Sequence, residues 1–600
     1  MGDGDKERPA QRPHALRDHA LIADGERGAI VGPQGNLAWL CVPRWDDEPV
    51  FASLLGGHGT YVVRPRDPWH VWGGSYQTAS LVWRSRWVTT EAIIECDEAL
   101  AFPGQRDLAV VLRRIRAVSG DAKVHVLLRP SGGFDGRPVD DFEQDNGVWT
   151  GTVGDLRVRW TGARHARPGD RGELVMDLEV PEGQTRDLVL ELARTTLPTD
   201  PVTAEMAWEA TTSSWDELVP QLPDVFAGED VRQSYAVLRG LTSADHGMVA
   251  AATMSLPERS RGGRDYDYRY AWVRDQCYTG QAVAALGAFP LLESALDFVT
   301  DRILEDGPDL KPAYRVDGGP VPDEHHVGLP GYPGGGDVVG NWVNGQFQLD
   351  TLGETLSMVA AASRHDMVTS RHWKAVRTAV QVVEDRWRKP DAGIWELDDA
   401  LWTHSRLSCV AGLRAIGSVA PGPEGVQWTT LADRILAGTS EDCLHPSGRW
   451  QQSPENPGVD AALLLPPVRG ALGAHDPRTV LTRQAVRRDL ATDGFVYRFR
   501  HDTRPLGDAE GAFTLCGFLM SMACAHAGEG VEAMHYFERA RASCATSGLF
   551  TEEFDVRQRQ LRGNFPQAFV HAMFIEAATV LQRLLEAEPP TTATPGGTLP

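Results

Sequence analysis

Asp187-Leu-Val-Leu-Glu-Leu192, the breaker Leu197-Pro-Thr-Asp-Pro201 and the run Ala204–Val219, with Trp208 and Trp215 seven apart, carry the chain from one kind of periodicity to another. Before the breaker, apolar residues come in short β-type runs separated by Gly, Pro and Asp: Ala109–Ile115, Lys123–Leu128, Leu156–Trp160, Glu173–Leu178 and Asp187–Leu192. After it, apolar residues recur at helical spacing over Val231–Leu241, Ala271–Leu286, Leu291–Leu304, Gln346–Ser363, Ser370–Trp387, Trp402–Ile416, Gly511–Ala527, Gly530–Cys544 and Pro566–Leu584. So many successive helices must bury their stripes against one another, as an α/α barrel or a helical solenoid does. The expected organisation is an antiparallel β-sandwich over 20–198, a linker helix within 199–228, a helical domain over 229–588 and a disordered Pro/Thr/Gly tail over 589–600.

Bulk properties narrow the function. In 600 residues, 82 Asp and Glu against 59 Lys and Arg give a net charge of −23, which argues against nucleic acid and anionic membrane surfaces and favours a small neutral partner. The first nineteen residues are polar, and no uninterrupted apolar run approaches the roughly 20 residues of a membrane helix, so a cytoplasmic protein is expected. Eight cysteines, none in a CxxC pair, read as buried hydrophobes, with no zinc site, no catalytic metal and no cofactor implied.

Three segments concentrate chemistry at loop-to-helix junctions, and in a barrel such junctions converge on one central pocket. Arg264-Asp-Tyr-Asp-Tyr-Arg-Tyr-Ala-Trp-Val-Arg-Asp275 interleaves aromatics with guanidinium and carboxylate groups. A sugar ring needs that mixture, because its apolar face stacks on an aromatic while its hydroxyl rim takes paired donors and acceptors. Gly393-Ile-Trp-Glu396 delivers a carboxyl beside an indole, an apolar neighbour that favours the protonated form a general acid needs. Leu549-Phe-Thr-Glu-Glu-Phe-Asp555 brings three carboxylates together ahead of Gly563-Asn-Phe-Pro-Gln567.

In this order the segments resemble the glucoamylase family of glycoside hydrolases, family 15. Trp39-Leu-Cys-Val-Pro-Arg-Trp-Asp46, Val50-Phe-Ala-Ser-Leu-Leu-Gly56, Tyr314-Arg-Val-Asp-Gly318 and Gln346-Phe-Gln-Leu-Asp350 extend the resemblance over roughly Leu21 to Leu584. It implies a β-sandwich followed by a six-fold α/α barrel, and inverting hydrolysis of terminal α-glucosidic bonds. It also implies that Glu396 is the general acid and Glu552 the base that activates water. Arg274 and Asp275 hold the hydroxyls of the nonreducing glucose; Tyr268, Trp272 and Trp395 line its subsite, and Glu510 is a further sugar contact. Glu396 is expected to be kept protonated by Trp395, and Glu552 to be kept ionised by donors of its own turn. The sandwich is expected to brace the barrel. The chain departs from the family at Leu397-Asp398-Asp399 and at Gly334-Gly-Gly-Asp-Val-Val339, where an arginine is expected. The first departure bears on the leaving-group side and the second on a substrate loop. α-Glucan oligosaccharides are the first substrate reading and α,α-trehalose the second. An inverting disaccharide phosphorylase and a sugar-binding module without turnover are readings of another class.

Overall fold

Sixteen strands precede the first long helix in the computed structural model, which describes residues 12–222, 225–259, 262–287, 289–501 and 503–587. The expected tail over 589–600 lies outside these residues. One antiparallel sheet runs Ala20–Ala23, Gly28–Val31, Asn36–Cys41, Thr60–Pro65, Ala122–Arg129, Leu174–Val180, Arg167–Pro168, with Pro49–Phe51 on the third strand. The other runs Asp140–Asp145, Val148–Val153, Leu156–Thr161, Thr185–Ala193, Leu108–Ser119, Ile93–Leu100, Trp83–Thr89, His70–Tyr76. Val124, Val126 and Leu128 alternate with more exposed neighbours, which turns one face of their strand inward. Residues of both sheets meet in a common core, where the Trp160 indole Nε1 donates to the Tyr61 hydroxyl at 3.1 Å across the two layers. The expected sandwich is present, and its strands are more numerous than the five read from periodicity.

Helix Ala204–Leu218 lies on the sandwich: Trp215 stacks on Phe102 with centroids 4.1 Å apart, and Thr211 Oγ1 accepts the Phe102 N–H. Beyond it, six inner helices close a ring in the order Val273–Leu286, Asp350–Ser363, Thr403–Gly417, Leu465–Val468, Thr514–His526, Ala568–Ala587. Six more, Gly228–Leu241, Phe289–Asp306, Ser370–Arg386, Glu424–Cys443, Pro477–Asp489 and Gly530–Arg541, pack outside them. This is the α/α barrel. The inner helices are buried nearly all round, the outer ones along one stripe. Ala568–Ala587 is long and apolar enough to cross a membrane, but 72% of its most apolar window is buried inside the barrel. All eight cysteines are unpaired, seven of them buried.

Three inner helices begin later than their apolar spacing suggests. Ala271–Trp272 pairs as a short strand with Ala313–Tyr314, residues 346–349 are irregular, and Ala512–Phe513 pairs with Glu553–Phe554. Trp272 and Phe513 therefore stand on extended backbone, and Gln348 on an irregular stretch, at one end of the barrel. That end meets the sandwich. The guanidinium of buried Arg269 donates to the carbonyls of Trp45 (3.3 Å) and Asp47 (3.1 Å), while Arg315 pairs with Asp46 and Arg44 with Asp317. The sandwich loop thus braces the segment that carries Tyr268 and Trp272.

Candidate active site

Side chains alternate over Tyr266–Arg269, and a bend at Tyr270, whose hydroxyl donates to Asp267 Oδ2 at 3.3 Å, interrupts the alternation. Tyr266, Tyr268 and Trp272 face a central cavity, as do Arg264 before them and Arg274 after them. Asp267 and Arg269 turn the other way and are wholly buried as a pair, with Arg269 Nη2 2.7 Å from Asp267 Oδ2. Unpaired, either charge would cost several kcal/mol. The helix beginning at Val273 places Arg274 and Asp275 in its first turn, on the cavity wall. Arg274 Nη1 donates to Gln348 Oε1 at 2.5 Å and lies 3.7 Å from Asp350 Oδ2. Burial pushes the Asp275 carboxyl up to about 7, against the pull of Arg274.

Glu396 sits in a tight turn that Gly393 opens at φ +66°, and its own φ is +54°. A left-handed non-glycine costs on the order of 1–3 kcal/mol and persists where its surroundings over-determine it. Asp391 supplies that restraint: its Oδ1 accepts the N–H groups of Gly393 (2.9 Å) and Leu349 (3.3 Å) and the Ser405 hydroxyl (2.9 Å). The Glu396 carboxyl is then held on one oxygen. Oε1 accepts from Trp272 Nε1 at 2.8 Å and Gln348 Nε2 at 3.3 Å, with Arg274 Nη2 at 3.8 Å. The indole touching this carboxyl is Trp272, 124 residues away, and not the expected neighbour Trp395. Trp395 also lines the cavity, but its N–H donates to Asp460 Oδ1 at 2.9 Å and its ring meets Phe513 edge-on.

All three donors to Asp391 use one oxygen, which leaves the other free for a proton. Burial, then the Asp350 carboxylate, pushes the Asp391 carboxyl up to about 7. A carboxyl whose folded value is raised binds its proton more tightly in the folded chain, so its contribution is fully present below the ordinary value near 4 and is lost as pH rises towards 7. Asp391→Asn is expected to raise the melting temperature at pH 8 and to raise it much less at pH 5. A drop at both values would show that the turn depends on the ionised form.

The three acidic residues of the last segment separate by the same alternation, because Glu553–Asp555 is a strand. Glu552 faces the cavity. Glu553 turns inward to accept the Gly511 N–H at 2.6 Å, and Asp555 pairs with Arg259 at 3.2 Å. The expected donors from the turn do not reach Glu552. Tyr268 OH donates to its Oε1 at 3.4 Å, and no donor among the described residues reaches its buried Oε2. Burial, then the neighbouring Glu258 carboxyl, pushes Glu552 well above the usual carboxylate range.

These groups enclose a cavity of about 160 Å³, roughly ten times the space one water requires. Seven of the eight residues expected at the site line it: Tyr268, Trp272, Arg274, Asp275, Trp395, Glu396 and Glu552. Glu510 does not. Although burial pushes its carboxyl up, Arg498 and His501 hold it well below the usual range, and it binds Arg498 (2.5 Å) and Arg264 (3.0 Å) from behind. Arg264 and Arg498 do line the cavity, as do Glu258 and Trp342, the last 45% exposed at its rim. Sequence reasoning passed over Glu258, Trp342, Gln348 and Arg498. Gln348 stood in a quoted motif but was read as helical, and Arg498 lies beside the short hairpin of Ala491–Thr492 and Phe495–Val496, with no periodic signal.

The comparisons with known proteins agree with this architecture. Residues 9–213 match the trehalase-like N-terminal model, and residues 236–579, more than half the chain, match the model of glycosyl hydrolases family 15. The trehalase of Mycobacterium tuberculosis is 29% identical over 95% of this chain and 90% of its own length. That of Mycolicibacterium smegmatis is 28% identical over 95% and 92%. A bacterial glucoamylase solved in complex with acarbose superposes with a TM-score of 0.69 at 13% identity, covering 98% of each chain, which speaks for the fold alone. With its sandwich, its closed α/α ring and the matched span, this chain belongs to the glycosyl hydrolases of family 15.

Proposed function

We propose that this glycoside hydrolase cleaves α,α-trehalose with inversion, with Glu396 as general acid and Glu552 as general base. The observation that carries the reading is the way two adjacent rings address the two carboxyls. Tyr268 and Trp272 pack edge to face with centroids 5.4 Å apart; Tyr268 OH reaches Glu552 and Trp272 Nε1 reaches Glu396. The carboxyls thereby face one cavity from two different rings, and inversion asks for such a pair with water standing between base and sugar. The nonreducing glucose lies over Trp272 and Tyr268, its hydroxyls meeting Arg274 and Asp275. Glu396 uses its free Oε2 to protonate the bridging oxygen as the bond to C1 lengthens. Glu552 takes a proton from the water that attacks C1 from the opposite face.

Trehalose moves ahead of α-glucan oligosaccharides for two reasons. The trehalases matched span nearly the whole chain, sandwich included. The wall past the two carboxyls is polar, with Arg264 and Arg498 on it, which suits a second glucose with hydroxyls on its whole rim. The net charge of −23 accords with a neutral substrate and with work in the cytoplasm.

The test is a panel of trehalose, maltose and isomaltose with product anomers read by proton NMR. The expected result is a kcat/KM on trehalose at least about tenfold above the others, with α- and β-glucose released initially in equal amounts. α-Glucose alone would overturn inversion, and preference for maltose or isomaltose would overturn the choice of substrate. Phosphate-dependent release of glucose 1-phosphate would make the protein a phosphorylase; binding without turnover on any α-glucoside would make it a sugar-binding module.

A further inference from the structure

Beside the base lies a carboxyl that this mechanism does not use. Glu258 follows Pro257 on the loop whose carbonyl accepts the Gly563 N–H at 2.9 Å. Gly563 has φ +80°, and a Cβ there would lie 3.4 Å from Glu552 Cβ and 3.8 Å from Glu258 Cγ. The two side chains thus border the same glycine. Glu258 is 4% exposed and Glu552 5%, both line the one cavity, and their carboxyls act directly on one another. The Oε2 atom of each is buried, and no protein donor among the described residues reaches it. Two ionised carboxylates have only acceptors to offer one another, so this contact requires a proton between them.

Their surroundings favour one negative charge on the pair, neither none nor two. Arg264 Nε lies 3.5 Å from Glu258 Oε2, and the Arg498 guanidinium acts on both carboxyls. Both arginines are already engaged by Glu510, and Arg498 also faces Glu553 at 3.7 Å. His501 stands behind Glu510 at 2.9 Å. Asp265 and the hydroxyls of Tyr266 and Tyr268 are the further ionisable groups facing the pair among the described residues.

We propose that Glu258 is a positioning residue for the base: it and Glu552 hold a single proton between them, and this proton rests on Glu258 when Glu552 meets the reacting water as a carboxylate. The idea rests on the assignment of Glu552 as base. When Glu552 takes a proton from water the pair becomes doubly protonated, and one proton must return to solvent before the next turnover, while Glu396 regains the one it gave to the leaving sugar. The acidic limb of the pH–rate profile is then the double protonation of this pair.

The experiment compares full-length Glu258→Ala and Glu258→Gln with the wild type on the best substrate of the panel, recording kcat and kcat/KM against pH. Alanine removes the donor, so its acidic limb is expected to move up by about one pH unit or more and its kcat to fall about tenfold or more. Glutamine presents an N–H where the acid presented its proton, and is expected to restore the limb to within about half a unit. Limbs that coincide in all three proteins, or a glutamine variant that behaves like alanine, would overturn the proposal. Infrared difference spectra of wild type minus Glu258→Gln at pH 7, without substrate, are expected to show the C=O band of a buried carboxylic acid; its absence would overturn the proposal as well. Because that band needs no turnover, its presence alongside inactivity on every α-glucoside would sink the functional reading and leave the proton-sharing pair standing.

Discussion

Glu396→Gln is expected to lower kcat on trehalose by about a thousandfold or more, within the range that general acid catalysis supplies, while the melting temperature stays within about 2 °C. The amide oxygen can take the place of Oε1 and accept from Trp272 Nε1 and Gln348 Nε2 at 2.8 and 3.3 Å, so the turn at φ +54° keeps its restraints. What disappears is the proton on the oxygen that faces the sugar. The measurement that isolates this loss uses α-glucosyl fluoride, whose leaving group departs without protonation. On that substrate the variant is expected to recover most of its rate. Wild-type kcat on trehalose would reject the assignment, and an equal loss on both substrates would assign Glu396 to binding.

Glu552→Gln carries the opposite signature. The rate is expected to fall by a similar factor on trehalose and on the fluoride alike, because both need an activated water. Stability should move the other way. Burial and the Glu258 carboxyl raise the folded-state value of Glu552, so the wild type loses stability as pH rises above the ordinary carboxylate value near 4.5. A neutral amide has no such dependence and can donate to Glu258. The variant is therefore expected to melt higher than the wild type at pH 8, and the gap should close towards pH 5. Should it melt lower at pH 8, the carboxyl of Glu552 would be stabilised in the fold by something other than the contacts described.

Both predictions depend on groups that differ greatly in how far they can be read from the chain alone. Glu396 and Glu552 stand in motifs with family resemblance, and the parity of Tyr266–Arg269 assigns Tyr266 and Tyr268 to one face once that stretch and the residues after it are known not to be helical. That last condition was not legible. Ala271-Trp272 and Gly511-Ala-Phe513 carry apolar residues that continue the stripes of the helices after them, and a buried strand residue and a buried helix residue look alike at that range. The outer helix Pro477–Asp489 was missed for a related reason. The side chains it buries are Thr479, Thr482, Arg483, Ala485 and Val486, so its inward face has almost no apolar signal.

Sequence alone determined the class of fold and the chemical kind of the site. A two-residue apolar period up to Leu192 and a helical one beyond Ala204 are local properties of the backbone, so the order of sandwich and barrel follows from them. Tertiary structure decided which group acts on which. Closing the barrel brings Trp272 onto Glu396 and Glu258 onto Glu552, and it draws Glu510 behind its arginines and away from the cavity. All of these contacts but Arg498 with Glu510 join residues more than a hundred positions apart, and the desolvation and pairing that govern their protons exist only once the walls have met.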